Sequence, residues 1–313
     1  MTDPTGQLRS LLYVPAHRSD WVEKALVSGA DALIFDLEDA VPLADKAEAT
    51  QICRSSIEAA GSRAVVMVRI NPVAGERWLD DLEAIVVAGL SGVLLPKCER
   101  PEHVGAADLV LSQLERRAGL EVGSISLTPM FESGPGIDQA KEIMSASPRV
   151  RYCWAGHTRD GDLGRDLSLG WSAEGRESLY ARSKVIVDAR VAGVRYPTTG
   201  IWADVKDLDG LRAFAEQSAL IGFSGIQIIH PGHAATVNDV LTPDAGEVAR
   251  LERIVIAMHQ AAGEGLGAIT LDGAMVDEAM SASAGRRLRD ARDLGVPVSS
   301  EAREIIGNAS GKQ

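Results

Sequence analysis

The sequence has little cysteine, few aromatic residues and no long apolar run. Its three cysteines, Cys53, Cys98 and Cys153, lie far apart and form no C-x-x-C pair, so neither a disulfide framework nor a zinc site is indicated. The longest apolar runs, residues 64–68 among them, fall far below the roughly 18 residues that span a bilayer. Residues 1–20 lack the apolar region of a secretory signal. We therefore expect a cytoplasmic protein that does not enter a membrane.

Positive charge is also scarce, because 32 Lys and Arg residues face 44 Asp and Glu residues and the net charge is -12. Binding to a phosphate backbone depends on clustered Lys and Arg side chains, so a nucleic-acid partner is not expected. With 45% hydrophobic and 24% charged residues, the composition excludes collagen-like, coiled-coil and disordered chains. The length of 313 residues allows one large domain or two smaller ones.

Short apolar, β-branched runs alternate with amphipathic stretches, which is the pattern of parallel strands joined by helices. After the third run, Trp78, Leu82 and Ile85 recur at helical spacing. Residues 1–240 hold eight such units and predict an α/β fold, a (β/α)8 TIM barrel that forms the catalytic domain, with a doubly wound open sheet as the alternative. The eight predicted strands are Leu11–Pro15, Ala32–Glu38, Ala64–Asn71, Gly92–Lys97, Ile125–Glu132, Val150–Ala155, Val194–Ile201 and Gly225–His230.

Residues 241–313 break this pattern and predict a C-terminal helical extension. The Thr-Pro-Asp of residues 242–244 is typical of a helix start, and the helix is predicted to end near Ala262. A glycine-rich stretch, GEGLGAITLDGAMVD, follows in residues 263–277, and a charged helix is predicted near residues 283–294. Glycines and a short apolar hairpin between two helices indicate a movable lid.

Charged and polar side chains collect at the ends of the predicted strands. In a (β/α)8 barrel the carboxyl ends of the strands meet at one face, where active sites lie, so we expect a single polar basin. Its oxygen-rich composition suits Mg²⁺, with Glu132 as the first ligand candidate and a salt bridge at the barrel mouth as its alternative role. Arg69 can bind a carboxylate or an oxyanion, or pair internally with Asp36 or Glu38. The residues at these strand ends are Asp36, Glu38, Asp39, Arg69, Asn71, Lys97, Glu132, His157, Arg159, Asp160, Asp162 and His230.

Six segments stand out in order along the chain: RSLLYVPAHRSDWVEKAL (Arg9–Leu26), ADALIFDLEDAV (Ala30–Val41), VRIN (Val68–Asn71), LLPK (Leu94–Lys97), FES (Phe131–Ser133) and GIQIIHP (Gly225–Pro231). Together they resemble the citrate lyase beta-subunit-like branch of the HpcH/HpaI aldolase family, which includes malyl-CoA and citramalyl-CoA lyases. The resemblance implies a carbon–carbon lyase that uses Mg²⁺, with Mn²⁺ as an alternative ion. Such an enzyme cleaves or forms a 3-hydroxy-acyl-CoA such as malyl-CoA or citramalyl-CoA, and the products are acetyl-CoA and a 2-oxo acid, glyoxylate or pyruvate. Coenzyme A is then part of the substrate.

The resemblance also implies roles for individual residues. Glu132 would be a metal ligand, and Arg9, Arg69 and Glu132 would form the substrate-binding set. Asp272, in the C-terminal lid, would reach a neighbouring subunit's site as acid or base, which implies a homo-oligomer, a trimer or a hexamer. Asp39 marks this branch, because the simpler aldolases place a His there, and Arg69, Asp39 and Asp272 are the catalytic candidates.

The loop after the sixth strand departs from the family pattern. Relatives carry a second metal-binding Asp in a pattern like G-A-E-D-x-x-x-D-L, whereas residues 155–167 read AGHTRDGDLGRDL. Without a gap, the ligand position falls on Thr158, which is a poor Mg²⁺ ligand. A longer loop places it on Asp162, whose spacing to Asp166 and Leu167 restores D-x-x-x-D-L. We predict Asp162 as the second metal ligand, with Asp160 as the alternative.

Two other functions stay open at this point. One is a class II-type aldolase for free hydroxy-oxo acids without CoA, against which the C-terminal extension argues. The other is a noncatalytic subunit that kept the barrel and lost its metal, which the position of Thr158 suggests. Magnesium-dependent release of a 2-oxo acid from malyl-CoA or citramalyl-CoA separates the lyase from both alternatives.

Overall fold

Eight parallel strands close into a barrel in the computed structural model, which describes residues 6–308. Each strand pairs with the next, and β1 also pairs with β8, so the predicted (β/α)8 fold is confirmed and the open sheet is excluded. The strands are β1 Ser10–Pro15, β2 Ala32–Asp36, β3 Val65–Arg69, β4 Leu90–Leu95, β5 Ser126–Phe131, β6 Tyr152–Ala155, β7 Tyr196–Thr199 and β8 Gly225–Ile228.

Helices follow the strands around the barrel, and none of the helices within residues 6–308 has the length and apolarity needed to cross a membrane. The barrel helices are α1 Val22–Leu26, α2 Lys46–Ala60, α3 Trp78–Ile85, α4 Pro101–Ala118, α5 Gly134–Asp138, α6 Ala140–Ser145, α7 Asp162–Leu167, α8 Leu179–Ala192, α9 Leu208–Ile221 and α10 Ala234–Leu241.

Several strands end earlier than the sequence predicts. The second predicted strand extended to Glu38 but β2 ends at Asp36, and the fifth extended to Glu132 but β5 ends at Phe131. β4 likewise ends at Leu95, before Lys97. The polar side chains that close the predicted strands therefore lie in loops, where the backbone is free to turn them toward the barrel mouth.

Alternation along the strands divides the apolar side chains of the barrel between two layers. Ile34 and Met67 belong to the cluster inside the barrel, whereas Phe35 and Val68 belong to the larger cluster that includes residues of the surrounding helices. All four are almost fully buried. The cysteines are free and buried, as expected from their spacing: Cys53, Cys98 and Cys153.

The chain divides into two compact units, the first ending at Leu241 and the second beginning at Thr242. The second unit contains helices α11 Ala245–Gly263, α12 Glu278–Asp293 and α13 Ser300–Asn308, together with a hairpin of β9 Ala268–Leu271 and β10 Ala274–Asp277. Asp244 caps α11 by accepting a hydrogen bond from the Glu247 N–H, as the predicted helix start requires. α12 begins earlier than predicted, because Asp277 caps it in the same way. The unit has its own apolar core, which includes Leu251, Val276 and Leu288.

A buried ion-pair network joins α4 to the start of β6. The guanidinium of Arg149 donates to both carboxylate oxygens of Glu115, at 2.8 and 2.6 Å, and to the Asp108 carboxylate at 2.5 Å. The side chains of Arg149 and Glu115 are 4% and 0% exposed. Two backbone N–H groups, of Gly123 and Ile125, also donate to Glu115. The network is therefore fully hydrogen-bonded, which makes its burial tolerable.

We expect Arg149→Met to lower the free energy of unfolding by about 3 to 5 kcal/mol, because it leaves the Glu115 carboxylate buried without its cation. Arg212→Met, which breaks the exposed pair with Asp239 (side chains 46% and 66% exposed), should cost less than about 1 kcal/mol. Urea unfolding monitored by tryptophan fluorescence measures both. Equal midpoints for the two variants would show that burial does not distinguish these pairs.

Candidate active site

Glu132 directly follows β5, and its buried side chain lies at the carboxyl end of the barrel. Its Oε1 accepts a hydrogen bond of 3.1 Å from the backbone N–H of Lys97, in the loop after β4. Burial, helped by the carboxylates of Glu38 and Asp162, raises the pKa of Glu132 to about 7. The Lys97 N–H and the guanidinium of Arg69 oppose this shift without cancelling it. A positive charge bound nearby would therefore stabilise the ionised form of Glu132.

Arg69 is the last residue of β3, and neighbouring acids hold its guanidinium. Nε and Nη2 donate to the two carboxylate oxygens of Asp36, at 2.8 and 2.6 Å, and Nη1 lies 2.9 Å from Oε2 of Glu38. The ring of Tyr13 lies 5.0 Å from the guanidinium carbon. An arginine has five N–H donors, so this arrangement leaves two for a ligand. The two roles expected for Arg69, internal pairing and anion binding, are therefore compatible.

Lys97 brings a second cation to the site. Its backbone adopts the left-handed region, with φ of 49°. Its Nζ donates to Oε1 of Glu38 at 2.8 Å and lies 3.8 Å from a carboxylate oxygen of Asp39 and of Asp162. Glu38 therefore bridges Lys97 and Arg69 with its two oxygens. Burial raises the pKa of Glu38 although both cations oppose the shift.

Asp162 begins α7, in the loop after β6. Its negative charge is one of the causes that raise the pKa of Glu132. Its carboxylate pairs with Arg165 one turn later. Asp166, four residues beyond Asp162, accepts a hydrogen bond of 2.6 Å from the backbone N–H of Gly134. The second acid of the D-x-x-x-D-L pattern therefore connects the β6 loop to the loop that carries Glu132.

Arg69, Glu132 and Asp162 line a cavity of about 320 Å³ at the carboxyl ends of the strands. Thr158 and Asp160 also line it, so all three residues considered for the second metal position face the same space. A second cavity of about 360 Å³ shares Tyr13, Asp39, Arg69 and Ile201 with the first. The walls that belong to the second cavity alone are mostly apolar: Pro15, Trp21, Asp36, Ala40 and Ile229. A polar compartment and an apolar compartment thus adjoin.

Arg9 is not part of this site, which corrects the expectation that it binds substrate. It directly precedes β1, at the amino-terminal end of the strands, whereas Glu132 and Arg69 lie at the carboxyl ends. Its guanidinium forms two hydrogen bonds with Asp31, of 2.8 and 2.7 Å, just before β2. The Arg9–Asp31 pair therefore joins the starts of β1 and β2.

Asp272 belongs to the second unit, at the turn of the β9–β10 hairpin. Asp272 and Gly273 have φ values of 50° and 80°, as a two-residue hairpin turn of this type requires. The carboxylate of Asp272 lies 3.0 Å from Nη2 of Arg253, and the side chain is 67% exposed. Its expected role in a neighbouring subunit's site stays a prediction.

Residues 9–231 match the protein family described as HpcH/HpaI aldolase/citrate lyase. The chain belongs to this family. It is 34% identical to citrate lyase subunit beta of Escherichia coli over 274 residues, which cover 87% of this chain and 89% of that protein. It is 33% identical to a (3S)-malyl-CoA thioesterase of Cereibacter sphaeroides over 279 residues, which cover 88% and 92% of the two chains.

Among solved structures, the chain is similar to CitE from Mycobacterium tuberculosis in complex with magnesium, acetoacetate and coenzyme A. The TM-score is 0.71 at 26% identity, and the similarity covers 92% of this chain and 99% of that chain. Another crystal structure, the citrate lyase beta subunit from M. tuberculosis, contains oxaloacetate and magnesium and matches with a TM-score of 0.61 at 26% identity, over 77% of this chain and 99% of that one. As a member of the HpcH/HpaI family with these relatives, the protein is an enzyme of the carbon–carbon lyase class.

The donor set of this family member fits a hard divalent cation and not zinc. Within residues 6–308, no group of three or more His, Cys, Asp or Glu side chains is arranged as a complete metal site. Mg²⁺ needs only one or two carboxylates, because water and substrate oxygens complete its coordination. Glu132 and Asp162 supply two carboxylates from adjacent loops, and because burial raises the pKa of Glu132 to about 7, a bound divalent cation would favour its ionised form.

Sequence reasoning did not identify Tyr13 and Lys46. Tyr13 lies under Arg69, lines both cavities and donates a hydrogen bond of 2.8 Å to Oε1 of Gln227. Lys46 contacts the backbone of the loop after β2. Tyr13 lies within one segment that carries the family resemblance and Lys46 follows another, but only the closed barrel shows what they touch.

Glu132→Gln should remove a pH dependence of stability in the absence of divalent ions. The folded-state pKa of about 7 exceeds the ordinary 4.5, so the wild type loses stability as the pH rises through this range, and the loss levels off above pH 7. Between pH 5 and 8 the variant should gain about 2 to 3 kcal/mol relative to the wild type. Urea unfolding in EDTA measures this gain, with the exposed Glu83→Gln as control. A constant difference between wild type and E132Q at both pH values would contradict the assignment.

Proposed function

We propose that the protein is a Mg²⁺-dependent lyase that cleaves, or forms, a 3-hydroxy-acyl-CoA such as malyl-CoA or citramalyl-CoA. The products of cleavage would be acetyl-CoA and a 2-oxo acid, glyoxylate or pyruvate. The observation that carries this proposal is the meeting of Glu132, Asp162 and the cation Arg69 around one cavity, with the Lys97 ammonium 3.8 Å from the Asp162 carboxylate. Such a site can hold a hydroxy acid through a divalent ion and stabilise negative charge beside it.

The thioester part of the substrate is supported by the relatives and by the second cavity. A CitE of similar fold was solved with coenzyme A, and one relative is a (3S)-malyl-CoA thioesterase. The apolar walls formed by Pro15, Trp21, Ala40 and Ile229 adjoin the acidic compartment at Arg69. We therefore propose that the hydroxy-acid end lies among the carboxylates and that the thioester arm leaves through the apolar compartment.

Glu132 and Asp162 would hold the Mg²⁺ ion. A bound Mg²⁺ supplies Lewis-acid polarisation of the substrate oxygens and fixes their orientation. Arg69 would donate its two remaining N–H groups to the thioester oxygen, where negative charge grows as the carbon–carbon bond breaks. The bidentate contact with Asp36 preorganises that guanidinium, so it need not reorient during the reaction.

The cleavage requires two proton transfers. A base removes the hydroxyl proton, the bond between the hydroxyl-bearing carbon and the α-carbon of the thioester breaks, and the resulting enolate takes a proton to become acetyl-CoA. Asp39, whose side chain is 61% exposed and lines both cavities, is the candidate for the first transfer. Asp272 of a neighbouring subunit is the candidate for the second transfer.

Purified protein should release a 2-oxo acid from malyl-CoA or citramalyl-CoA only when Mg²⁺ is present. Glu132→Ala and Asp162→Ala should each lower kcat/KM by on the order of a hundredfold or more, because changes even one shell further from a metal cost 10- to 100-fold. Asp160→Ala and Thr158→Val are matched controls in the same loop and should change kcat/KM much less. Calorimetric titration with Mg²⁺ gives a second measurement, in which E132A and D162A lose binding.

The assay also separates the other functions. Free CoA thiol and malate without a 2-oxo acid would indicate thioester hydrolysis, a second candidate favoured by the (3S)-malyl-CoA thioesterase relatives. Cleavage of free hydroxy-oxo acids alone would indicate an aldolase without CoA. Absence of any reaction, together with absence of Mg²⁺ binding, would overturn the proposal in favour of a noncatalytic subunit.

Asp272 can be tested by mixing two inactive variants. If the protein is a homo-oligomer and Asp272 serves a neighbouring subunit, Arg69→Ala and Asp272→Ala should each be inactive alone. Mixed oligomers should recover part of the wild-type kcat, because some sites then combine an intact barrel with an intact Asp272. If the mixture stays inactive although mass spectrometry shows that the subunits have exchanged, the site is not shared between subunits.

A further inference from the structure

Lys46, the first residue of α2, reaches the end of β2 with its ammonium group. Its Nζ donates to the backbone carbonyls of Leu37 and Glu38, both at 2.8 Å, and to Oδ1 of Asn71 at 2.7 Å. A lysine ammonium has three donors, and all three are used. Lys46 therefore has no donor left for a substrate phosphate or carboxylate, and its contacts indicate what it holds in place.

The segment that Lys46 holds carries two side chains of the site. Glu38 bridges Arg69 and Lys97, and Asp39 lines both cavities. Past the end of β2, this segment keeps a backbone hydrogen bond to the end of β3, from the Leu37 N–H to the Arg69 carbonyl at 2.9 Å. The Asp36 carboxylate supports it locally by accepting from the Glu38 N–H at 2.9 Å and from the Ala40 N–H at 3.2 Å. Lys46 adds the link from this loop to a helix outside the barrel.

Asn71 extends the connection to a third element. Its side-chain nitrogen donates to the Asp81 carboxylate of α3 at 2.7 Å and to the Leu37 carbonyl at 3.2 Å. Its backbone N–H also donates to Asp81, at 2.8 Å. Asp81 and Asn71 are both buried. Lys46, Asn71 and Asp81 thus join helices α2 and α3 to the ends of β2 and β3.

We propose that Lys46 is a positioning residue of the active site: it fixes the backbone of residues 37–39 so that Glu38 holds Arg69 and Lys97 in their reactive arrangement. The inference rests on the proposed function for its kinetic consequence, but the structural effect stands without it. An ammonium held by two carbonyls and an amide oxygen adds three charge-assisted contacts to this turn, and such hydrogen bonds are stronger than those between neutral groups.

Lys184 offers a matched control. Its Nζ also has three acceptors, namely the carbonyls of Ile137 and Asp138 at 2.7 and 3.1 Å and the Asp188 carboxylate at 2.6 Å. It ties α8 to the end of α5 and lines neither cavity. Lys46→Met and Lys184→Met therefore remove similar bonds from different places, and only the first should affect the site.

The test compares kcat, KM and amide hydrogen exchange in wild type, K46M and K184M. We expect K46M to lower kcat by on the order of tenfold to a hundredfold with a smaller change in KM, because misplaced groups cost more in the transition state than in binding. Exchange should accelerate in peptides that contain residues 37–41, where the Val41 N–H donates to the Glu38 carbonyl.

Lys46→Arg, which keeps the charge and can reach the same carbonyls, should restore part of kcat. K184M should retain wild-type kcat and wild-type exchange in residues 37–41.

Unchanged kcat and exchange in K46M would overturn the proposal, and so would equal losses of kcat in K46M and K184M. If K46M does not fold, Lys46→Gln, which keeps two donors on an uncharged side chain, is judged by the same criteria. Faster exchange in residues 37–41 of a chain that cleaves no acyl-CoA would support the positioning role and refute only the proposed reaction. The two failures are therefore distinguishable.

Discussion

The arrangement of the site depends on one interaction, the bridging of two cations by Glu38. A carboxylate with 4% of its side chain exposed is costly to bury unless its charge is paired, and here the Arg69 guanidinium and the Lys97 ammonium lie 2.9 and 2.8 Å from its two oxygens. The bridge in turn keeps both cations beside the barrel mouth, where Glu132 adds another buried acid. Because the charges compensate one another, acids and bases that would each be costly to bury alone can lie together at the barrel mouth.

The fold was largely predictable from the sequence because its signals are local. Alternating apolar strands and amphipathic helices repeat eight times, and the chirality of such units leaves few topologies beside a barrel or an open sheet. The predicted strand ends were less accurate. Glu38, Lys97 and Glu132 continue a strand-like pattern in the sequence, but their side chains need freedom from the ladder to meet one another. Element boundaries are thus least predictable where tertiary contacts between charges replace strand hydrogen bonds.

The candidate site was predictable to the extent that strand ends converge. Glu132, Arg69 and Asp162 follow strands at the same end of the barrel, so the fold brings them together. Arg9 lies in an equally recognisable motif, but it precedes its strand and therefore lies at the opposite end. The role of Lys46 could not be read from its sequence position, because its acceptors are two backbone carbonyls and an asparagine 25 residues away. Every residue carries a backbone carbonyl, so the sequence does not show which carbonyls accept a hydrogen bond from a lysine.

The sharing of only four residues between the two cavities has an evolutionary consequence. Side chains such as Trp21 and Ile229 border the apolar compartment alone, whereas Asp162 and Glu132 border the acidic one alone. Except at Asp36, which holds Arg69, mutations in the wall of the apolar compartment can accumulate without disturbing the acidic one, so the size and shape of the apolar compartment can change while the acidic one stays constant. A scaffold with this separation is suited to diversification by gene duplication, each copy inheriting the same chemistry and acquiring a different molecule on which to use it.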